Sequence, residues 1–448
     1  MRSQASSRTG GVPSLFSLAG KRRNRSLPLS FRLSTCGLFC HGPVKTMPTL
    51  GLIIPTILPV LGFSLLLVQG AAQQKSASLA PDNPPPGLSP GAISLSEGEF
   101  ERLKKQAENA RNSNQIPEAV RLYQQILGWE PEWAEGWWYL GTLHYEADRY
   151  TRAESAFRRV TSLEPSSGPA WAMLGLCEFR TQQYAAALDH LVKGRALGIG
   201  GNEDLARVVR YHQAVLFTLG RQFEAALELL NGFAVEHRES ETVLDALGMA
   251  VLRIPAPIEK LSGEQKEMVR QFGKVAFLTG ERRMAESRKM YAELEARFRS
   301  LPNVSYAYAV FLLADKEPDQ AISFFKNELE RDPNHVAALL QVALSAVDSG
   351  KFEEGFPYAS RAVAADPENF AGYYTLGRIY VELNELSKAI EMLEKAAKIA
   401  PEVPTVHFVL SRAYARAKRP ADAARARAEF SRLEQLDKKR RGEATGER

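Results

Sequence analysis

The sequence predicts an all-α fold, an α-solenoid or superhelix of about nine helix-turn-helix repeats, and two observations carry this prediction. The first is that prolines recur at one fixed interval, which separates Pro131 from Pro165, Pro333 from Pro367, and Pro367 from Pro401. A fixed period of about 34 residues is typical of repeat architectures, in which each unit is one supersecondary element that buries its apolar side against its neighbours.

The second observation is that the residue types between these prolines also recur. In one repeat Trp137 is followed by the pair Leu140-Gly141, then by Ala153 and Phe157. The aromatic residue and the leucine share one face of a first helix. The small residue after the leucine lets the second helix approach the first closely. The alanine lies on the second helix at this crossing, and the large residue four positions later fills the gap against the next repeat. Proline then ends the second helix, because it disfavours the helical conformation in the residue before it. The same order recurs at Trp171, Leu174, Gly175 and Ala187, and at Tyr373, Leu376, Gly377, Ala389 and Leu393.

The first four repeats are expected within residues 98–239. An S-x-x-E capping box from Ser96 to Glu99 opens the first helix. The third repeat ends in the glycine-rich stretch Gly198–Gly201, where the pattern expects a proline. These repeats are predicted to begin near Phe100, Ala134, Gly168 and Arg207.

Residues 240–300 depart from the pattern and are expected to form a degenerate region with an insertion. Thr242 to Ile254 is typical of a first helix, but a segment with two prolines, Ile254 to Gly263, follows it in place of a second helix. A longer helical pair is expected over Glu264 to Thr279 and Glu281 to Arg299. Such a break either bends the array or forms an insertion on one of its faces, and the sequence leaves both open.

The remaining repeats and a capping helix are expected within residues 301–437. The polar helix Ala421 to Leu436 is suited to cover the last apolar face, because a terminal repeat needs a polar outer side. Residues 438–448 form a basic tail, which is typical of a disordered, solvated terminus. The repeats of this part are predicted to begin near Pro302, Val336, Phe370 and Pro404.

Taken in this order, the motifs resemble those of the tetratricopeptide repeat family, and the resemblance covers residues 98–437. The chain is similar to bacterial exported or envelope-associated proteins of that family. The resemblance implies that the first helices line a concave surface and that this surface binds a partner protein or peptide. It also implies a scaffold rather than an enzyme.

Three segments precede the repeats. Residues 1–46 are basic and contain no acidic residue, which favours a disordered extension or a translation start at Met47. Residues 47–72 contain an uncharged apolar run that suits either a cleaved signal peptide or an N-terminal membrane anchor, since a membrane span needs about 20 apolar residues. Residues 73–97 are rich in proline, serine and glycine, which is typical of a disordered linker.

The charge distribution argues against a nucleic-acid partner. The formal net charge is +5, but nine basic residues and no acidic residue precede Asp82. From Asp82 onward, 52 acidic residues face 48 basic ones, so the repeat region has no basic excess. Of the three cysteines only Cys177 lies in the repeats, which excludes an internal disulfide there and favours a buried apolar role.

No motif in the sequence points to catalysis, a cofactor or a metal. The seven histidines show no metal-ligand spacing, and the chain lacks a nucleophile elbow, a P-loop and a dinucleotide fingerprint. His144 and His407 occupy sites that the repeat gives to packing aromatics, so we expect satisfied core histidines. The sequence therefore predicts no enzyme and no cofactor.

The residues that could bind a ligand lie next to the core aromatic site of the first helices. Aromatic or aliphatic side chains recur there, and arginines follow one turn later in three repeats. Such a groove suits a peptide with an acidic or C-terminal carboxylate feature, whereas packing between neighbouring first helices explains the same residues without a ligand. The candidate residues are Trp138, Arg180, Tyr211, Tyr306, Leu340, Tyr374, Arg378, Phe408 and Arg412.

Three kinds of function remain open: an exported scaffold, a membrane-anchored assembly factor, and a regulatory subunit of an enzyme complex. All three need a protein or peptide partner, and contact with a membrane is expected only through residues 50–69 if that segment stays uncleaved. A chaperone carboxylate clamp, known in this family, is disfavoured because the sites where its asparagine would be expected hold other residues. These are Thr142, Leu176, Val215, Val310 and Leu344.

Overall fold

The computed structural model describes residues 96–445, and within this range it contains nineteen α-helices, one 3₁₀ turn and no strand. The predicted α-solenoid is thereby confirmed. The predictions for residues 1–46, 47–72 and all but the end of 73–97 lie outside the described residues. Ser96 is the N-cap of the first helix, and its hydroxyl donates to Glu99 Oε2 at 2.7 Å.

The first eight helices form four consecutive hairpins, each made of a first and a second helix. Their bounds are α1 Glu97–Asn112, α2 Ile116–Trp129, α3 Ala134–Glu146, α4 Tyr150–Leu163, α5 Gly168–Arg180, α6 Tyr184–Leu197, α7 Glu203–Leu219 and α8 Phe223–Val235.

The later helices form five more hairpins, and α9 precedes them as a first helix without a second. Their bounds are α9 Glu241–Val251, α10 Gly263–Gly280, α11 Met284–Phe298, α12 Val304–Ala314, α13 Pro318–Arg331, α14 Val336–Asp348, α15 Phe352–Ala365, α16 Phe370–Glu382, α17 Leu386–Ile399, α18 Pro404–Arg416 and α19 Pro420–Thr445.

One left-handed residue marks the end of each first helix. The backbone N–H that follows it bonds back across the turn, as Gln115 does to the Ala110 carbonyl at 2.8 Å, which closes the helix end. The ten residues are Asn114, Asp148, Gln182, Arg221, Arg253, Arg282, Lys316, Gly350, Asn384 and Lys418. Their spacing equals the interval between the recurring prolines except between Gln182 and Arg282, so ten repeats share one register that loosens only in the middle.

The fifth repeat has no second helix, and α10 packs in its place. A 3₁₀ turn, Ile258–Lys260, stands where the second helix would be. Helix α10 crosses α9 so closely that a Cβ on Gly248 would lie 1.8 Å from the Val269 carbonyl oxygen. A Cβ on Gly273 would lie equally close to the Leu244 carbonyl oxygen. The two glycines therefore let α10 serve as the partner of both α9 and α11.

Within the regular hairpins, the small residue after the leucine sits against the large residue of the second helix. A Cβ on Gly141 would lie 2.9 Å from the Phe157 ring, and one on Gly377 would lie 2.5 Å from Leu393. The close approach inferred from the sequence pattern is confirmed at these crossings.

A hydrogen bond joins the recurring aromatic residue to the recurring proline. The Trp137 indole N–H donates to the Pro131 carbonyl at 2.9 Å, and that of Trp171 donates to the Pro165 carbonyl at 2.8 Å. In the last repeat His407 replaces the tryptophan, and its Nε2 lies 2.7 Å from the Pro401 carbonyl oxygen. The two residue types recur together because each aromatic residue ties its helix to the end of the preceding repeat.

Two expectations need correction. The basic tail was expected from residue 438, but α19 continues to Thr445, because lysine, arginine and glutamate favour a helix and no proline stops it.

His144 was expected to be satisfied, but its Nδ1 has no hydrogen-bond partner among residues 96–445 although the side chain is buried. Burial lowers the pKa of His144 to about 4, so the imidazole is neutral near pH 7.

The described helices include none that is both long enough and apolar enough to cross a membrane.

Candidate functional site

The first helices of neighbouring repeats contact one another directly, as α5 does with α7 and α14 does with α16. Their solvent-facing side chains therefore form one continuous surface, which we call the first-helix face. At its equivalent central positions Val215, Val310, Leu344, Arg378 and Arg412 are at least partly exposed, whereas Thr142 and Leu176 are buried.

Three of the predicted groove residues lie in the core instead. Tyr306, Leu340 and Tyr374 are buried, and the Tyr306 ring packs 5.5 Å from that of Phe325 on its own second helix. Packing in the core, without a ligand, therefore explains why apolar and aromatic side chains recur at these three positions.

The other aromatic candidates reach the surface. Trp138 and Tyr211 are half-buried, and the edge of Trp138 packs against Phe157 at 5.5 Å between ring centroids. Phe408 is 45% exposed and lies 5.4 Å from Phe430. Part of the surface of each of these three rings is exposed to solvent and accessible to a ligand.

Each predicted arginine faces an acidic residue near the end of the preceding first helix. Arg378 donates to Asp348 at 2.8 Å, whereas Arg180 lies 3.9 Å from Asp148. Sequence reasoning missed these acids, although each precedes its arginine by nearly one repeat. The ion pairs link neighbouring first helices, and each guanidinium, with five N–H donors, keeps donors for a ligand.

Arg412 is the most exposed member of this set. It lies 3.6 Å from Glu382, which is too long for a hydrogen bond, and it makes no hydrogen bond to any residue of the range 96–445. Its guanidinium stands at the edge of a cavity of about 130 Å³ between α14, α16 and α18. We call this cavity the arginine cleft; it is lined by Val347, Phe352, Arg378, Val381, Glu382, Val409 and Arg412.

A second feature, of which only Tyr211 was predicted, joins first helices to the starts of second helices, since Tyr150 begins α4 and Tyr184 begins α6. Half-buried rings follow one another across the second, third and fourth repeats, and we call them the aromatic band: Tyr145, Tyr150, Phe179, Tyr184, Tyr211 and His212. Adjacent rings lie 4.7–5.8 Å apart between centroids within two groups, Tyr145 with Tyr150 and the other four rings together. Arg180 connects the first group to the second, because its guanidinium carbon lies 4.5 Å from the Tyr150 ring. The signal was present in the sequence, since Tyr145 and Phe179 stand one repeat period apart, as do Tyr150 and Tyr184.

The aromatic band is uncharged near neutral pH apart from Arg180 and its acid. Burial raises the pKa of Tyr145 and Tyr211 to about 12, so both keep their hydroxyl protons. Burial lowers the pKa of His212 to about 4, and its Nδ1 lies 2.8 Å from the Val208 carbonyl oxygen. The band therefore offers neutral rings and hydroxyl donors.

The described part of the chain offers no group suited to catalysis by a metal or a thiol. No cluster of three or more histidine, cysteine, aspartate or glutamate side chains within residues 96–445 could hold a metal ion. Cys177 is buried, and burial raises the pKa of its thiol, which disfavours the reactive thiolate. The buried Glu178 accepts from Arg158 at 2.9 Å and lies 2.6 Å from His190 Nδ1, so its charge is balanced by structural partners.

Family models described as tetratricopeptide repeat match the chain in both halves. One matches residues 346–407, and another matches residues 104–167 and 140–194. These matches coincide with hairpins whose turns, crossings and proline contacts share one register. The chain contains tetratricopeptide repeats.

Individual relatives of this tetratricopeptide repeat protein are distant. It is 21% identical to Hsp70-Hsp90 organizing protein 3 of Arabidopsis thaliana over 240 residues, which are 51% of this chain and 42% of the relative. The chain therefore spans less than half the length of that protein.

Similar solved structures include MamA from Desulfovibrio magneticus RS-1, with 22% identity over 38% of this chain and 96% of that one, at a TM-score of 0.35. The Cut9-Hcn1 assembly of the APC/C matches 76% of this chain and 87% of that one with 12% identity and a TM-score of 0.34.

Proposed function

We propose that this tetratricopeptide repeat protein is a non-enzymatic scaffold whose first-helix face is a concave groove for a partner protein or peptide. The observation that carries the proposal is the arginine cleft. There, an exposed guanidinium without a hydrogen-bond partner in residues 96–445, that of Arg412, stands beside a cavity with both charged and apolar lining residues.

The cleft fits a carboxylate that has a small apolar group next to it. Arg412 and Arg378 supply charge-assisted donors, which bind a carboxylate more strongly than neutral donors do. The apolar part of the wall is formed by Val347, Phe352, Val381 and Val409, and Glu382 is the one acidic lining residue. The volume of about 130 Å³ suits one or two side chains of a peptide and is smaller than the usual pocket for a cofactor.

The name of the plant relative concerns chaperones, and a chaperone tail is the alternative carboxylate ligand. The positions equivalent to Arg378 and Arg412 hold Val310 and Leu344 in the two preceding repeats. Those side chains donate no hydrogen bonds, so we propose a ligand that meets arginines only in the last two repeats.

We also propose that the repeats act outside the cytoplasm, because the uncharged run within residues 47–72 suits an export signal or an anchor. If the run is retained, the protein is a membrane-tethered assembly factor with the same groove. A regulatory subunit of an enzyme complex would use the groove to hold its catalytic partner.

The ligand chemistry can be tested with the full chain and paired synthetic peptides, Gly-Ser-Ala-Val-Val with a free C-terminal carboxylate or with an amide. We expect the free acid to bind about tenfold or more tightly than the amide, since hydrogen bonds to charged groups contribute about 1.5–3 kcal/mol. The double variant Arg378→Gln/Arg412→Gln should abolish this difference, whereas Arg121→Gln on the second helix α2 should preserve it. Equal binding of acid and amide by the unaltered protein would contradict the proposal.

A further inference from the structure

We infer that the aromatic band binds an uncharged, proline-rich segment of a partner protein in the polyproline II conformation. This inference rests on the proposed scaffold function and adds a second ligand class, on repeats other than those that form the arginine cleft. The geometry that points to it is the recurrence of rings at equivalent positions, the hydroxyl groups without an acceptor in residues 96–445 and the balance of charge.

The interval expected between equivalent positions of neighbouring packed helices matches one turn of a polyproline II helix. Tyr145 and Phe179 occupy equivalent positions in neighbouring repeats, and so do Tyr150 and Tyr184. Packed helices lie about 8–10 Å apart. A polyproline II helix rises about 3.1 Å per residue with three residues per turn, so residues i and i+3 are about 9 Å apart. A proline at every third position could therefore rest on equivalent rings of successive repeats.

Strand and helix ligands match this spacing less well. Side chains on one face of an extended strand repeat about every 6.6 Å, and a helix repeats about every 5.4 Å. Neither interval equals the distance of about 8–10 Å that is typical of packed helices.

The hydroxyl groups of the band can satisfy the backbone of such a ligand. Those of Tyr145, Tyr184 and Tyr211 donate to no residue in the range 96–445, whereas that of Tyr150 donates to Asp148. A polyproline II segment makes no internal hydrogen bonds, so its carbonyl groups need donors from a partner. Aromatic grooves that recognise proline-rich segments combine these two features.

The charges on the band favour a neutral ligand over an acidic one. Arg180 is its cation, and this side chain lies 3.9 Å from Asp148 and over the Tyr150 ring. His212 is neutral near pH 7. Lys193 lies 3.4 Å from the centroid of the Trp171 ring, which is not a ring of the band. An acidic peptide is instead expected to bind the arginine cleft, where the guanidinium of Arg412 makes no hydrogen bond to residues 96–445.

The test uses the full chain and three fluorescein-labelled decapeptides: decaproline, a glycine-serine repeat and decaglutamate. Fluorescence polarisation should show saturable binding of decaproline at neutral pH and no saturable binding of the glycine-serine peptide. The triple variant Tyr145→Phe/Tyr184→Phe/Tyr211→Phe keeps the rings and removes only the hydroxyl groups. It should weaken decaproline binding about tenfold or more, because each lost hydrogen bond lowers affinity about threefold. Tyr373→Phe, a change on α16 outside the band, should leave the affinity unchanged.

Failure of this inference can be told apart from failure of the proposed function. Absence of saturable decaproline binding, or equal binding by the triple variant, would overturn it even if acid-dependent binding to the cleft persists. Saturable binding of decaglutamate that the triple variant loses would also overturn it. If decaproline binds as expected while the cleft shows no preference for the free acid, the aromatic band stands as the binding surface and the carboxylate proposal is the one that fails.

Discussion

Replacing Gly248 with alanine should loosen the crossing of α9 and α10. The added methyl carbon would lie 1.8 Å from the Val269 carbonyl oxygen, whereas carbon and oxygen in a close contact are about 3.3–3.6 Å apart. The two helices must therefore separate or bend by about 1.5 Å, which disturbs the buried Met249, Phe272 and Val275 around them.

The expected net cost is about 2 kcal/mol. Overpacking that moves backbone costs about 3 kcal/mol at the upper end of the usual range, and alanine regains about 1 kcal/mol through its higher helix propensity. The matched control is Gly128→Ala in α2, where the added carbon would meet nothing within 4 Å. There only the propensity gain applies, so the control should be more stable by up to about 1 kcal/mol.

Hydrogen–deuterium exchange followed by mass spectrometry measures this effect repeat by repeat. Because repeats couple mainly to their neighbours, Gly248→Ala should speed exchange in α9 and α10 about 30-fold while α1 and α2 stay unchanged. Gly128→Ala should slow exchange in α2. Unchanged exchange of α9 and α10 in Gly248→Ala would refute the close crossing and, with it, the role of α10 as the partner of α9.

Three further predictions concern single side chains. Trp171→Phe removes the indole donor to Pro165 and should destabilise the third repeat by about 1 kcal/mol in urea unfolding. Glu328→Gln should cost about 3 kcal/mol by the same measurement, because the buried carboxylate accepts the Asn303 N–H at 2.9 Å and lies 3.0 Å from Arg331. Acidification should destabilise the second repeat: the folded pKa of His144, about 4, lies below the ordinary 6.5, so stability is fully present above pH 6.5 and is lost as pH falls toward 4. The loss at pH 5 is about 2 kcal/mol, and the protection factors of α3 and α4, which are corrected for the pH dependence of intrinsic exchange, should depend less on pH between 5 and 7 in His144→Phe.

The order of the hairpins could be predicted because the period of the prolines reflects contacts made within a repeat or with the repeat next to it. Trp171 recurs with Pro165 because the two are hydrogen-bonded, and Gly377 recurs opposite Leu393 because the helices cross there. Neighbour contacts of this kind leave a periodic signal in one sequence.

The packing of α10 on α9 could not be predicted in the same way. It depends on two glycines, Gly248 and Gly273, that face carbonyl oxygens of the other helix. This arrangement occurs once in the described part of the chain, so no repetition marks it.

Residues at equivalent positions of the repeat can also differ in how exposed their side chains are. Tyr306 and Phe408 occupy equivalent positions three repeats apart, yet Tyr306 is 6% exposed and Phe408 is 45% exposed. The difference arises because Tyr306 is covered by the repeat that follows it, where His335 lies 4.9 Å from its ring. Phe408 lies on the last first helix, α18, and has no such cover among residues 96–445. Apart from Tyr211, the aromatic band and the acids opposite the arginines were missed because sequence analysis followed one position of the repeat.

The most direct test of the central claim compares two exposed valines. Val310 lies on the first-helix face, and Val235 lies at the end of the second helix α8. A photoreactive benzophenone amino acid can replace either one in the full chain, which is then irradiated with the partner bound. We predict that the partner cross-links at position 310 and not at position 235. Cross-linking at position 235 alone would contradict a binding surface built from the first helices.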